Sequence, residues 1–115
     1  MTDCIFCKII AGEIPGEFVY QDQQVSAFLD INPLAPTHIL IVPNQHIADT
    51  NDLDAGDEPL IGHLFTVAKD LAVKMGIDQS GYRLIINSGP HGGQVVFHLH
   101  LHLLGGKPLG SMVQN

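Results

Sequence analysis

The chain has 115 residues, 45% of them hydrophobic and 15% charged, which suits one folded domain over residues 1–115 with one modest core. Its formal net charge is −7 with only five Lys and Arg, so it lacks the basic face that a nucleic acid polymer requires of a partner. A single nucleotide is not excluded, because backbone N–H groups and imidazoles can hold one phosphate. No apolar run approaches the ~20 residues of a membrane span, and the first residues show neither a charged leader nor an apolar signal segment. A soluble cytoplasmic protein with no membrane partner is therefore expected.

In chain order, Cys4 to Ala11 reads as a short helical turn, stopped by Gly12 and the Ile14-Pro15-Gly16 bend. Phe18 to Gln21 and Val25 to Leu29 read as two strands of a hairpin around Asp22-Gln23-Gln24. Asn32 to Thr37 carries two prolines and reads as a loop. His38 to Val42 is a dense apolar run closed by Pro43, as in a central strand. After an acidic stretch from Asn51 to Glu58, Asp57 is placed to cap a helix with Pro59 in its first turn. Leu60, Ile61, Leu64, Phe65, Val67, Ala68, Leu71, Ala72 and Met75 follow at helical spacing, and Gly76 supplies the stop. Tyr82 to Asn87 reads as a strand, Ser88 to Gln94 as a glycine-rich loop, and Val95 to Leu104 as a last long strand ended by Gly105-Gly106. The outline is an α+β fold: a five-stranded antiparallel meander covered on one face by one long helix, with short helical segments besides.

The last strand is the most informative stretch. His98, His100 and His102 alternate with Leu99, Leu101 and Leu103, so on a strand the imidazoles share one face and the leucines the other. The leucines are expected on the long helix and the histidines facing outward into a groove. His98 and His102 lie roughly 13 Å apart at that rise, too far for all three to hold one ion. A central His100 that reacts, with flanking groups that position it, is the natural reading. The Gly92-Gly93-Gln94 turn just before can aim N–H groups at a phosphate oxygen, since glycine permits close approach. Nothing resembles a phosphate-binding Gly-Lys-Ser loop or a magnesium carboxylate pair, so no cofactor is expected to be required for catalysis. Cys4 and Cys7 stand two residues apart; in a reducing compartment that spacing suggests a metal or redox role before a disulfide.

The His-apolar-His-apolar-His-apolar-apolar run resembles the signature of the histidine-triad (HIT) superfamily of nucleotide hydrolases and transferases. The likeness covers nearly the whole chain. It takes in Cys4 to Ile10, Ala27-Phe28-Leu29-Asp30-Ile31, Pro36-Thr37-His38, Val42-Pro43 with His46, Gly92-Gly93-Gln94, and Leu103 to Gly106. The set is most similar to the Hint branch, the purine nucleoside phosphoramidases.

That resemblance implies a HIT-like fold and the following roles. His100 matches the nucleophile that forms a covalent nucleotidyl-histidine, which water then opens to the nucleoside monophosphate. His102 matches the residue on the phosphate and leaving group, and His98 and His38 match residues that orient the nucleophile and complete the site. Asn87, Gly93, Gln94 and the backbone near Val95 match the phosphate contacts. Asp30 matches the carboxylate on the ribose hydroxyls, and Phe28 and Ile31 the walls of the base pocket. Read from the residues alone, Asp30 also fits an Asx turn, Phe28 and His38 fit a core, and Gly92 and Gly93 fit a plain turn.

The resemblance further implies a homodimer with joined sheets, a purine nucleotide substrate such as an AMP or GMP derivative (adenylyl-lysine among them), and a pattern found in some relatives in which Cys4, Cys7, His46 and His98 hold a structural zinc. Two free thiols in a small core are the alternative to that zinc. Two departures stand out: Val95 replaces a frequent serine near the leaving-group nitrogen, and the tail from Lys107 to Asn115 has no Trp. Two other functions remain compatible with the residues: a dinucleoside polyphosphate hydrolase or nucleotidylyl transferase of the same superfamily, and a non-catalytic nucleotide- or zinc-binding interaction module.

Overall fold

The computed structural model describes residues 3–112, so the first two residues and the last three of the tail lie outside the description that follows. Helix α1 (Ile5–Ile10) is followed by strands β1 (Phe18–Gln21), β2 (Val25–Leu29) and β3 (Thr37–Pro43). Helix α2 (Glu58–Lys74) then crosses over to β4 (Tyr82–Ile85) and β5 (Leu101–Gly105). The five strands form one antiparallel sheet in the order β1-β2-β3-β5-β4. The expected meander therefore holds through β3 only. The α2 crossover carries β4 to the outer edge, and β5 returns to fill the place beside β3.

Helix α2 forms where its apolar spacing predicts. Pro59 sits in the first turn, where its missing N–H would have had no partner, and Lys74 lies at the C-terminal end of the helix dipole. Asp57 occupies the N-cap position, but its side chain does not cap α2. It instead accepts the amide of Asp54 in a reciprocal capping box that closes the preceding 3₁₀ turn. The buried stripe Leu64, Val67, Ala68, Leu71 and Ala72 meets Val25, Ala27, Ile39, Ile41, Leu99, Leu101 and Leu103 in the main core. The leucines of the triad segment thus pack on the helix side, as the alternation predicts. Among the described residues no helix is long and apolar enough to cross a membrane.

The opposite sheet face is not bare, as one-sided cover had suggested. Helix α1 lies over it and closes a second, smaller core of Phe6, Ile9, Phe28, Leu40 and Val42. The strand register lines up Phe18, Phe28, Leu40, His102 and Ile85 as one row across this face.

The predicted strand from Val95 to Leu104 begins only at Leu101. Its last pair with β3 is Leu101 with Ile41, and continuing that register would set Leu99 against Pro43. Proline has no N–H for the ladder, and the Pro43 carbonyl already accepts Nε2–H of His98 at 2.8 Å. Leu99 donates instead to Ile47 O at 2.7 Å. The predicted strand from Tyr82 to Asn87 likewise ends early, at Ile85.

Candidate active site

A cavity of about 500 Å³ opens on the α1 side of the sheet, with His100, His102 and His38 along its floor. Of the other residues expected at a site, Phe28, Asp30, Ile31, Asn87, Gly93 and Val95 also line it. Gly93 adopts a left-handed φ of 86° that lets the loop turn its backbone to the cavity. Ile31 and Val95, 88% and 86% exposed, form the rim.

Gln94 is not among these. It is 5% exposed, and its side chain braces the glycine loop from behind: Oε1 accepts Gly89 N–H, while Nε2 donates to the carbonyls of Ala48 and Val96. The side chain of Gln94 is thus taken up within the loop, and only its backbone is left to face a phosphate.

The expectation of an outward row of imidazoles also needs correction. His98 is fully buried and His100 is 7% exposed, because α1 folds over them. Phe6 packs edge-on against His100 at a centroid distance of 5.1 Å and against His98 at 5.9 Å. His98 points away from the cavity floor, into the space between α1 and the residues after β3.

Burial fixes the ring protons, since a carbonyl can only accept and a backbone amide can only donate. Nδ1 of His100 lies 2.7 Å from His98 O, so Nδ1 carries the proton and Nε2 of the neutral ring keeps its lone pair. His38 is the reverse case. Leu34 N–H donates to its Nδ1 at 3.1 Å, so its Nε2 carries the proton and donates to Nδ1 of His102 at 3.0 Å. His102 is then left with its proton on Nε2, a buried atom with no partner among the described residues. One lone pair and one unused donor thus lie on neighbouring rings, whose centroids are 4.8 Å apart. An orphaned buried N–H is costly unless a ligand atom completes it.

The electrostatics agree. Burial pushes the pKa of His38, His98 and His100 below the ordinary imidazole range. For His102 burial, with the charges of His100 and His38 adding to it, lowers the pKa to about 4. Among the described residues no lysine or arginine lines the cavity, and Asp30 is the one carboxylate there. Its Oδ1 accepts Asn32 N–H in the Asx turn, while Oδ2 lies 3.5 Å from Nε2 of His38.

The residues that could hold a metal lie beside the cavity. Sγ of Cys4 and Cys7, and Nδ1 of His46 and His98, are all within 4.8 Å of one another. Nδ1 of His98 is 3.3 Å from Cys4 Sγ and 3.6 Å from Cys7 Sγ, and Nδ1 of His46 is 3.5 Å from Cys7 Sγ. Asp30, His38 and His102 also crowd together, but there the facing ring nitrogens bond each other.

The sequence reading missed Ile5, Phe6 and Ile9 of α1 as cavity walls, along with Leu34. An apolar face on a six-residue helix, too short to carry a core of its own, was the available signal for the first three. For the Leu34 amide there was none.

A family model of the HIT domain matches residues 11–109. The chain belongs to the HIT family. The purine nucleoside phosphoramidase of Escherichia coli K12 is 55% identical over 111 residues, 96% of this chain and 93% of that relative. A HIT family hydrolase from Clostridium thermocellum superposes with a TM-score of 0.95 at 43% identity, covering 99% of both chains. One from Legionella pneumophila gives 0.92 at 48% identity, covering 94% of this chain and 96% of the other. The five-stranded open sheet with one long helix is the fold of these HIT neighbours. The chain is an enzyme of this family.

Proposed function

We propose that this HIT enzyme hydrolyses the P–N bond of purine nucleoside 5′-phosphoramidates, such as adenylyl-lysine, to the nucleoside monophosphate through a nucleotidyl-histidine on His100. The observation that carries this reading is the 2.7 Å bond from His100 Nδ1 to His98 O, which leaves the Nε2 lone pair as the free valence of the ring. Nε2 attacks the α-phosphorus and the P–N bond breaks. The amine departs after its nitrogen takes one proton from the medium. Water then attacks the phosphorus, the bond to His100 breaks, and the proton is returned to solvent. The Nε2–H of His102 is the donor for a phosphoryl oxygen, held ready before substrate arrives. Asn87 and the backbone at Gly93 and Val95 complete the phosphate contacts. Asp30 takes the ribose hydroxyls, and Phe28 and Ile31, joined by Ile5 and Ile9 of α1, enclose the base.

Among the described residues no basic side chain lines the cavity, which favours this substrate over a dinucleoside polyphosphate, whose further phosphates would meet neutral groups and Asp30 there. The thiol–imidazole cluster fits a structural zinc in Cys2His2 ligation. Tetrahedral bonds of normal length put sulfur and nitrogen ligands about 3.6 Å apart, close to the distances found. Because Nε2 of His98 donates to Pro43 O, Nδ1 is the nitrogen free to ligate. Such an ion would tie α1 to the sheet without touching the substrate. Two unpaired thiols side by side suit a cytoplasmic location. The working form is a homodimer with joined sheets: β4 is an edge strand, and Phe65 and Val73 are exposed on the outer side of α2.

The test is to supply adenosine 5′-phosphoramidate to wild type and to His100→Ala, following AMP release and the intact mass of quenched enzyme. AMP release with a transient nucleotidyl adduct in wild type, and neither in the variant, is expected. Equal turnover by both would remove His100 from the chemistry.

A further inference from the structure

A series of short contacts runs from the thiol cluster to the reactive ring. Cys4 Sγ and Cys7 Sγ face Nδ1 of His98 at 3.3 and 3.6 Å, and Nε2 of the same ring donates to Pro43 O at 2.8 Å. The ring of His98 is therefore gripped at both nitrogens. Its own carbonyl then accepts Nδ1–H of His100 at 2.7 Å. Residues 98 to 100 lie before β5 and outside the sheet ladder, with the Leu99 amide bonded to Ile47 O. The peptide that orients His100 is thus held by the Leu99 amide and by the side chain of His98, not by strand pairing.

The cluster acts on His100 by a second path. Cys4 caps α1 by accepting Cys7 N–H on its sulfur, and Cys7 lies within that helix. Between them Phe6 packs edge-on against the His100 ring. The same thiols therefore fix both the backbone that holds Nδ1 and the aromatic ring that limits the imidazole from the side.

We infer that Cys4, Cys7 and His46, with a zinc-class ion bound, are positioning residues for His100: by fixing His98 and α1 they hold the ring of His100 with Nε2 directed into the cavity. This rests on His100 being the nucleophile. The cluster does not touch substrate, and its effect falls on the orientation of the attacking atom. A cluster that only stabilised the fold would change melting temperature and KM while leaving the attack step of bound substrate alone.

The test uses the full chain stripped with a chelator and then reconstituted with zinc alone. Three quantities are read: ions bound per chain, the ¹⁵N resonances of the His100 ring, and the single-turnover rate of nucleotidyl-enzyme formation at saturating adenosine 5′-phosphoramidate. One ion per chain is expected. Zinc should bring the His100 ring to the single pattern of a proton on Nδ1 and raise the single-turnover rate at least about tenfold, the size of effect that outer-shell partners exert. The variant Cys4→Ala/Cys7→Ala should not respond to zinc. If it fails to fold, His46→Ala gives the same reading with α1 unaltered. Failure of micromolar zinc to bind would overturn the inference, as would an ion that binds while ring signals and rate stay unchanged. Ring signals that follow zinc, with no nucleotidyl-enzyme in either state, would uphold the positional link and instead overturn the assignment of the nucleophile.

Discussion

Nε2 of His38 and Nδ1 of His102 face each other at 3.0 Å, and the direction of the proton between them is set from outside the pair by the Leu34 amide at 3.1 Å on the far side of His38. A backbone amide has no second tautomer, so it propagates one proton arrangement through both rings and leaves His102 Nε2 as a donor. Replacing His38 by Ala removes that control, and His102 can then present a lone pair to the phosphate. His38→Ala is expected to lower kcat on adenosine 5′-phosphoramidate about tenfold, or ~1.4 kcal/mol of barrier, with KM within about twofold. His38→Gln, which can offer an amide N–H to His102, should recover most of the loss. Steady-state kinetics of the two variants check this, and equal defects in both would break the argument.

The same burial makes stability depend on pH. His102 titrates at about 4 in the folded chain, pushed down by burial and then by the neighbouring His100 and His38. His38 is lowered too, by burial more than Asp30 restores. In the unfolded chain both return to about 6.5. Between those values the unfolded state binds more protons, so stability is full above about pH 6.5 and is lost as pH falls toward 4. Urea midpoints measured with chelator from pH 7.5 down to 4.5 should fall steadily. The fall should be shallower in His102→Gln, and an unchanged slope in that variant would refute the assignment.

Much of this was legible in the sequence. β1 and β2 lie where the alternating runs around Asp22-Gln23-Gln24 put them, because turn chemistry and period agree there. Asp22 accepts the amides of Gln24 and Val25 to close that hairpin. What failed shares one cause. Period-two alternation tells which side of the chain a residue faces, but not whether a ladder partner exists or what lies above that face. Residues 95 to 100 alternate like a strand, yet Pro43 ends the pairing. His98 and His100 share a face, yet α1, more than 80 residues away in sequence, buries both. The thiol cluster has the same character: spacing named Cys4 and Cys7, but their meeting with His98 spans 94 and 91 positions and depends on the closed fold. Gln94 fitted a phosphate loop by position and turned out to be that loop's internal brace.

The proposed dimer makes a separate prediction. Among the described residues β4 pairs on one side only, with β5, so its other edge offers unused backbone groups. Phe65 and Val73 on α2, eight positions apart and therefore on one helical face, are 43% and 54% exposed. A second copy seated across this edge would cover both. Wild type should sediment as a dimer at micromolar concentration, and Phe65→Glu with Val73→Glu should shift it to monomer. A monomeric wild type would remove the dimer from the account.

Gly16 tests the cavity wall by steric means. A Cβ there would stand 2.5 Å from Cγ2 of Ile9, inside any real carbon–carbon contact. Ile9 is 8% exposed and, like Gly16, lines the cavity, so it has the core on one side and the substrate space on the other. Its β-branched side chain has few rotamers in which to escape within α1. Gly16→Ala should therefore push Ile9 toward the space proposed for the base. Overpacking of this kind costs about 1–3 kcal/mol. Part should appear as lower stability, and part as a KM for adenosine 5′-phosphoramidate raised about fivefold to tenfold. His100 is held by His98 O and His102 by His38, not by this wall, so kcat should stay within about twofold. Gly16→Ala combined with Ile9→Val, which returns the displaced volume, should bring KM back toward wild type. A loss in kcat with KM unchanged would mean that the Ile9 wall bears on the reacting atoms and not on the base.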